Sequence, residues 1–229
     1  MSETFSDRAL DFYKTLSFPY ELPSQIQLIN PYRTPEVQNY LRLFLEKFYG
    51  DNNRRVLVLG INPGRFGSGT TGITFTDPVA LQDSCGIANT LSRTRERSSE
   101  FMYSFIEKWG GAERFYRSFF LSAVSPLGFV NDGVNFNYYD SPELLSIAKP
   151  FIIQSVLSQI ELGVNRELAI LIGSGKNQRF FSELNAEHGF FKTLSVVEHP
   201  RFIMQYRRRQ LPYYLKKYEQ TFAGALTKQ

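Results

Sequence analysis

The sequence predicts an α/β protein, a three-layer α/β/α sandwich with a central, mostly parallel sheet. Two observations support this prediction. Short apolar runs alternate with longer amphipathic segments along the 229 residues. The apolar runs are also continuous, as is typical of strands that are buried on both faces. Ligands in such folds bind beyond the carboxyl ends of the strands, so the loops after strands are where a site is expected.

The first predicted strand runs from Val56 to Leu59 and ends at Gly60, after the polar turn Asp51 to Asn53. Three later runs have the same apolar character. They are Phe119 to Val124, Leu168 to Ile172 and Leu194 to Val197. Four buried strands are therefore expected in one sheet.

The clearest helix begins at Thr34 and Pro35 and ends before Gly50, because its apolar side chains recur at helical spacing between a start signal and a stop signal. Pro150 lies inside another helical pattern and should kink or divide it. The other predicted helices are Pro78 to Leu91, Ser99 to Trp109, Ser141 to about Leu162, Asn177 to about Glu187 and Pro212 to Phe222.

Length and composition indicate one domain over residues 1–229, and 42% hydrophobic residues are enough to bury a core. A single cysteine, Cys85, cannot form an intrachain disulfide or supply the thiolates of a structural zinc or iron–sulfur site. No run approaches the roughly 18 apolar residues of a membrane span. We expect a cytoplasmic protein, a monomer, without a metal and without a membrane partner.

The net charge is +4, and much of the excess lies near the C-terminus. Such a local field attracts phosphates, although a solvated basic helix face would have the same composition. The cations are Arg201, Arg207, Arg208, Arg209, Lys216 and Lys217.

A glycine-rich segment, GINPGRFGSGTTGITF, directly follows the first predicted strand and begins at Gly60. Glycines let the backbone approach a ligand closely, and the rings of Phe66 and Phe75 are placed to flank a planar group. The segment lacks the Lys-Ser/Thr ending of a phosphate-binding loop and does not have the dinucleotide spacing. A long turn that merely joins the strand to a helix remains an alternative.

A second short motif, GSGK at Gly173 to Lys176, follows the third predicted strand. It raises the hypothesis of a nucleotide-binding enzyme, but the motif is short and common.

The glycine-rich segment resembles, without gaps, the motif GMNPGPFGMAQTGVPF of the single-strand-selective monofunctional uracil-DNA glycosylases, the SMUG group. The agreement includes Asn62, Pro63, Thr71 and Phe75, whereas the positions that depart include Arg65, Ser68, Gly69, Thr70 and Thr74. Near the C-terminus, VVEHPRFIMQYRRR stands where the family has HPSPR, and it shares His199 and Pro200.

Weaker similarity lies between these motifs, in the same order. FFLSAVSPLGF resembles FVHNLCPLLF, NYYDSPELL resembles NLTPAEL, and LIGSGKNQRF resembles VVGVGRLAEQR. The resemblance implies the uracil-glycosylase fold over a core of about residues 30–218, preceded by an N-terminal helical extension, 1–29.

The resemblance also implies the chemistry, since cleaving the bond to an extruded base needs a positioned water and a group that stabilises the departing ring. Asn62 would hold the water through its amide carbonyl, and His199 would donate a hydrogen bond to uracil O2. Phe75 would stack on the ring. Further base contacts are expected from Phe66 and from the backbone near Ile61 and Gly64. No cofactor is expected.

Ala123 stands where the family has the asparagine that reads the Watson–Crick edge of uracil. An alanine side chain cannot form a hydrogen bond, so another residue must read the base. Ser122 is the predicted reader. Ser125 and the stretch that contains Asn131, Asn135 and Asn137 are alternatives.

The stretch from Arg201 to Arg209 combines apolar side chains that can wedge into a base stack with cations for the phosphate backbone. Arg201, Phe202, Arg207, Arg208 and Arg209 are therefore the predicted contacts to single- or double-stranded DNA that contains uracil or a related lesion. No lysine matches a family motif, which indicates a monofunctional repair enzyme. A non-catalytic module that binds single-stranded or damaged DNA is the alternative.

Overall fold

The computed structural model describes residues 3–227. Within that range the helices are α1 (Phe5–Thr15), α2 (Pro35–Tyr49), α3 (Ser68–Thr71), α4 (Pro78–Asp83), α5 (Arg97–Trp109), α6 (Ala112–Ser118), α7 (Pro142–Glu161), α8 (Lys176–His188), α9 (Pro200–Tyr206) and α10 (Leu211–Leu226). The strands are β1 (Ile26–Ile29), β2 (Val56–Gly60), β3 (Phe119–Ala123), β4 (Gly128–Asn131), β5 (Val134–Phe136), β6 (Asn165–Ile172) and β7 (Thr193–Val197). Short 3-10 turns lie at Pro31–Arg33 and Arg208–Gln210.

A four-stranded parallel sheet in the order β3-β2-β6-β7 forms the centre of the molecule. The register places Gly60 beside Ala123 and Leu59 beside Leu171, so the carboxyl ends of these strands lie along one edge. All four strands and their parallel arrangement were predicted. The structure also has a second sheet, which is antiparallel and in the order β1-β4-β5, and this sheet was not predicted.

Helices cover both faces of the parallel sheet. Phe5 of α1 packs against Phe120 with ring centroids 5.0 Å apart, and Phe222 of α10 packs against Phe119 at 4.9 Å. Neighbouring residues of a strand point to opposite faces, so α1 and α10 lie on opposite sides of β3. The predicted α/β/α sandwich is confirmed.

The largest differences between predicted and observed helices concern α4 and α7, whereas the ends of the others shift by a few residues. Helix α4 ends at Asp83 because Gly86 adopts a left-handed conformation (φ +63°) and the Ile87 N–H donates back to the Leu81 carbonyl. Helix α7 continues through Pro150, although a kink or a division was expected. Pro150 and Ser146 are both exposed, so the carbonyl that loses its helical partner faces water.

The N-terminal segment contains α1 and also β1, which pairs with β4. Residues 1 and 2 of the predicted helical extension lie outside the described range. The buried side chains Phe5, Ala9 and Tyr13 of α1 belong to the same apolar cluster as the central strands. No helix between residues 3 and 227 is long and apolar enough to cross a membrane.

Candidate active site

A cleft of about 600 Å³ opens at the carboxyl ends of β2, β6 and β7. Five chain segments line it: the residues that follow β2 and β6, the segment after β7 including α9, the start of α5, and β5 with the residues after it. The lining residues are Ile61, Asn62, Gly64, Ser68, Phe75, Glu96, Ser98, Asn135, Asn137, Tyr139, Gly173, Ser174, His199, Arg201, Phe202, Gln205 and Tyr206. The location is the one expected for a ligand site in a parallel α/β fold.

A small recess of about 30 Å³ lies at the floor of this cleft, where the glycine-rich segment meets β3 and the loop after β7. Ala123 forms part of its wall, because the alanine side chain leaves space at the end of β3. The recess is lined by Gly60, Ile61, Asn62, Pro63, Ser68, Thr74, Phe75, Ala123 and His199.

The side-chain amide of Asn62 is fixed by main-chain atoms of the neighbouring Pro63 and of the segment that follows β4. Its Nδ2 donates to the carbonyls of Phe136 and Pro63, each at 3.3 Å, and its Oδ1 accepts the N–H of Tyr138 at 3.2 Å. An amide oxygen has two lone pairs, so Oδ1 can accept one further hydrogen bond. Asn62 can therefore hold a water in a defined orientation.

Tyr138 is in turn held in place through its side chain. Its buried hydroxyl donates to Asn177 Oδ1 at 2.6 Å. Asn177 is fully buried near the start of α8, and its Nδ2 donates to the carbonyls of Ile172 and Gly173. The end of β6 thus supports the backbone that fixes Asn62.

His199 is neutral and has a defined tautomer. Its Nδ1 accepts the N–H of Arg201 at 3.2 Å, at the N-cap of α9. Burial, reinforced by the positive charge of Arg201, lowers the pKa of the imidazole to about 4. Because Nδ1 is an acceptor and the ring is uncharged at neutral pH, the proton lies on Nε2, which is a hydrogen-bond donor.

The ring of Phe75 lies 5.7 Å from the His199 ring, centroid to centroid, with the planes inclined by 51°. Phe75 has a positive φ of 57°, and its N–H donates to Ser68 Oγ at 3.1 Å. A left-handed aromatic residue costs about 1–3 kcal/mol and persists only where its surroundings enforce it. A Cβ at Gly60 would lie 3.0 Å from this ring, so glycine there gives the ring its space.

The superfamily model for uracil DNA glycosylases matches residues 47–223, which include every segment of the cleft. The chain belongs to the uracil DNA glycosylase superfamily. It is also similar to a solved structure, wild-type SMUG2 from Pedobacter heparinus. That protein is 40% identical, with a TM-score of 0.95, and the match covers 99% of this chain and 100% of the other.

These matches confirm the resemblance to the SMUG group and the uracil-glycosylase fold. The chain is a uracil-DNA glycosylase, a hydrolase of base excision repair, and DNA is its partner. The hypotheses of a nucleotide-binding enzyme and of a non-catalytic module are set aside. Lys176 of the GSGK motif is exposed and does not line the cleft, although Gly173 and Ser174 do.

The structure brings most of the predicted site residues of the glycosylase together. Those that line the cleft are Asn62, His199, Ile61, Gly64, Phe75, Arg201 and Phe202. Arg207, Arg208 and Arg209 lie outside it, on an adjoining exposed surface that they share with Gln205 and Tyr206.

Two predicted base contacts of the glycosylase do not line the cleft. Ser122 is fully buried, and its hydroxyl is 3.2 Å from that of Tyr13 on α1, because alternation along β3 directs Ser122 away from the recess that Ala123 faces. Phe66 is 51% exposed, and the guanidinium of Arg65 covers its ring at 4.8 Å.

Other polar residues reach the cleft of the glycosylase. Asn135 and Asn137 come from the stretch that was the alternative to Ser122, and Asn135 Oδ1 accepts the N–H of Arg65 at 3.0 Å. Sequence reasoning missed Glu96 altogether. It belongs to a segment with no strand before it and no family motif around it, so no local signal pointed to it.

Proposed function

We propose that this glycosylase hydrolyses the N-glycosidic bond of uracil extruded from DNA, with Asn62 and His199 as catalytic residues. One observation carries the proposal. The fixed amide of Asn62 has a remaining acceptor site, and the neutral imidazole of His199 has a donating Nε2–H. Both side chains line the same cleft. Together they meet the two needs of the reaction, a positioned water and a donor to the leaving base.

In this mechanism Asn62 Oδ1 accepts a hydrogen bond from a water and orients its oxygen towards C1′ of the sugar. The bond between C1′ and N1 of uracil breaks, and its electron pair stays on the base. The Nε2–H of His199 donates to O2 as negative charge develops there. Because the imidazole is neutral, it stabilises the anion by hydrogen bonding and electrostatics. No lysine lines the described cleft, in keeping with a monofunctional enzyme.

The base would stack on Phe75, near the backbone of Ile61 and Gly64. The proposed contact to the base edge is Asn135 in place of Ser122. Its Oδ1 is occupied by the Arg65 N–H, whereas Nδ2 donates no hydrogen bond within residues 3–227 and lies 3.0 Å from the position of a Cβ at Gly64. The amide N–H₂ is therefore available to a carbonyl of the base.

The surface beside the cleft supports binding of single- and double-stranded DNA by one copy of the chain. Tyr206 is 61% exposed and Phe202 is 40% exposed; both line the cleft, and Tyr206 also borders the surface formed by the exposed arginines 207–209. Aromatic side chains that project beside cations can enter a base stack while the cations contact phosphates.

The test is alkali-developed cleavage of labelled oligonucleotides that contain uracil, xanthine, hypoxanthine or 5-hydroxymethyluracil, with the Asn62→Ala protein as control. We expect the wild-type protein to cleave uracil DNA and the variant to have lost this activity. Cleavage that is unchanged in the variant would place the chemistry elsewhere. DNA binding without cleavage of any base would refute the proposed reaction.

A further inference from the structure

Among residues 3–227, one carboxylate lines the cleft, that of Glu96, and the mechanism above gives it no role. Glu96 immediately precedes α5, and its own N–H donates to Asp77 Oδ2 at 2.8 Å. Asp77 also accepts the N–H of Ala80 at 2.8 Å, as the N-cap of α4. The starts of two helices thus fix the backbone of Glu96 and direct its side chain to the cleft.

The carboxylate lies over the turn that follows Asn62. A Cβ at Gly64 would be 3.6 Å from Glu96 Oε1, and a Cβ at Gly67 would overlap Oε2. Glycine at these two positions therefore leaves the space that the carboxylate occupies. Gly64 is only two residues from Asn62, and both line the cleft together with Glu96.

The charges around Glu96 do not neutralise it by direct pairing. Its carboxylate forms no ion pair within 4.0 Å among residues 3–227. Burial raises its pKa above 4.5, as does the nearby charge of Asp77, whereas a hydrogen bond from Ser98 and the charge of Arg201 act in the opposite direction. Its own neighbours in the chain, Arg95 and Arg97, are exposed.

A negative charge beside a DNA site opposes the binding of phosphates. The position of Glu96 in the cleft therefore indicates a function that outweighs this repulsion. A partly buried carboxylate with a raised pKa, unpaired and inside a reaction cleft, has the properties of a general base. Asn62 cannot fill that role, because an amide orients a water without accepting its proton.

We propose that Glu96 accepts the proton of the water that Asn62 orients, an assignment that rests on the proposed function. The water oxygen forms the new bond to C1′ and one water proton passes to the Glu96 carboxylate. The electron pair of the broken bond leaves with the base. Glu96 then returns its proton to solvent or to the departed base, so the products are the abasic sugar and neutral uracil.

The experiment measures single-turnover cleavage of uracil DNA as a function of pH for the wild-type protein and for Glu96→Gln. The glutamine keeps the shape of the side chain and cannot accept the proton. We expect a rate at neutral pH that is about 100-fold lower, as is typical for loss of a general base. Glu107→Gln, a change outside the cleft on the helix that Glu96 precedes, is the matched control.

The pH profile separates a chemical role from a structural one. The wild-type rate should fall as the pH drops through the raised pKa of Glu96, while His199 remains neutral down to about pH 4. The Glu96→Gln protein should lack this acidic limb. A slower rate with the wild-type profile would mean that Glu96 only supports the loop, and an unchanged rate would equally overturn the assignment.

A second variant covers the case in which Glu96→Gln does not fold. Glu96→Ala leaves a space beside Gly64 and Gly67 that formate can enter, and we expect added formate to restore part of the rate. Absence of rescue in a folded Glu96→Ala protein would refute the assignment. Failure of the wild-type protein to cleave uracil DNA would instead refute the proposed function, whatever the variants do.

Discussion

The floor of the cleft and its outer rim differ in how firmly the protein holds their side chains. At the floor, the Asn62 amide makes three hydrogen bonds to main-chain atoms, and the buried Phe75 ring packs against the His199 ring. The outer rim is the adjoining surface that carries arginines 207–209, which are exposed and form few contacts. Bond cleavage depends on fixed geometry, whereas attraction of a charged polymer does not. The floor should therefore control the rate of bond cleavage, and the rim should control the affinity for DNA.

The largest expected effect comes from His199→Ala. Loss of the Nε2–H removes the proposed donor to the leaving base, and we expect the single-turnover rate to fall by about 100-fold or more, with DNA affinity changed by less than about tenfold. Rapid-quench cleavage and fluorescence anisotropy measure the two quantities. His188→Ala on α8 is the control, since His188 stacks on Phe190 away from the cleft. A loss below about tenfold would contradict the assignment of the floor.

Phe75→Leu tests the stacking surface. Leucine keeps much of the apolar volume but offers no aromatic face, and stacking on an aromatic ring contributes roughly 1–3 kcal/mol per base. We expect kcat/KM for uracil DNA to fall by about tenfold or more. Phe66→Leu should change it little, because that ring is exposed outside the cleft. Equal losses in both variants would show that the two rings flank the base together.

Replacing Arg208 and Arg209 by alanine tests the rim. Each phosphate contact that is lost should weaken DNA binding several-fold and reduce the slope of log K against log salt by about 1. The rate at saturating enzyme should stay within about threefold. Arg42→Ala on α2, whose guanidinium pairs with Glu46, is the control. A rate that falls at saturation would mean that the rim also positions the base.

The smallest expected effect concerns stability. The pKa of His199 is about 4 in the folded protein and 6.5 in an exposed histidine, so the unfolded chain binds more protons between these values. The free energy of unfolding should fall as the pH is lowered from 6.5 to 4. The share from this partly exposed ring is on the order of 1 kcal/mol. Urea titrations at pH 6.5 and at pH 4 should show a fall in the free energy of unfolding that is larger for the wild type than for His199→Gln by this amount. An equal fall in the two proteins would disprove the prediction.

The parallel sheet and most helices were predictable because their signals are local. Helix α2 matches its prediction at both ends, since Pro35 and Gly50 mark them. The antiparallel sheet was missed because β1 and β4 are short and pair across about one hundred residues.

The predictions for the site divide in a similar way. Asn62 and His199 follow strands and lie in family motifs, and the structure brings them into one cleft. Ser122 does not line the cleft, for a reason that was available from the sequence, because a residue next to the recess-facing Ala123 must point to the other face. The left-handed backbone of Phe75 and the approach of Glu96 depend on contacts between distant segments, which no local pattern encodes.

The contacts to Asn62 also affect how this enzyme tolerates mutation. Every residue has the main-chain carbonyl that Phe136 supplies, and every residue except proline has the N–H that Tyr138 supplies. Substitution of the Phe136 side chain therefore leaves its contact to Asn62 available, and comparison of homologous sequences would overlook that contact. Proline at position 138 would abolish the other contact at once. Part of what fixes the Asn62 side chain is thus inherited as backbone shape rather than as residue identity.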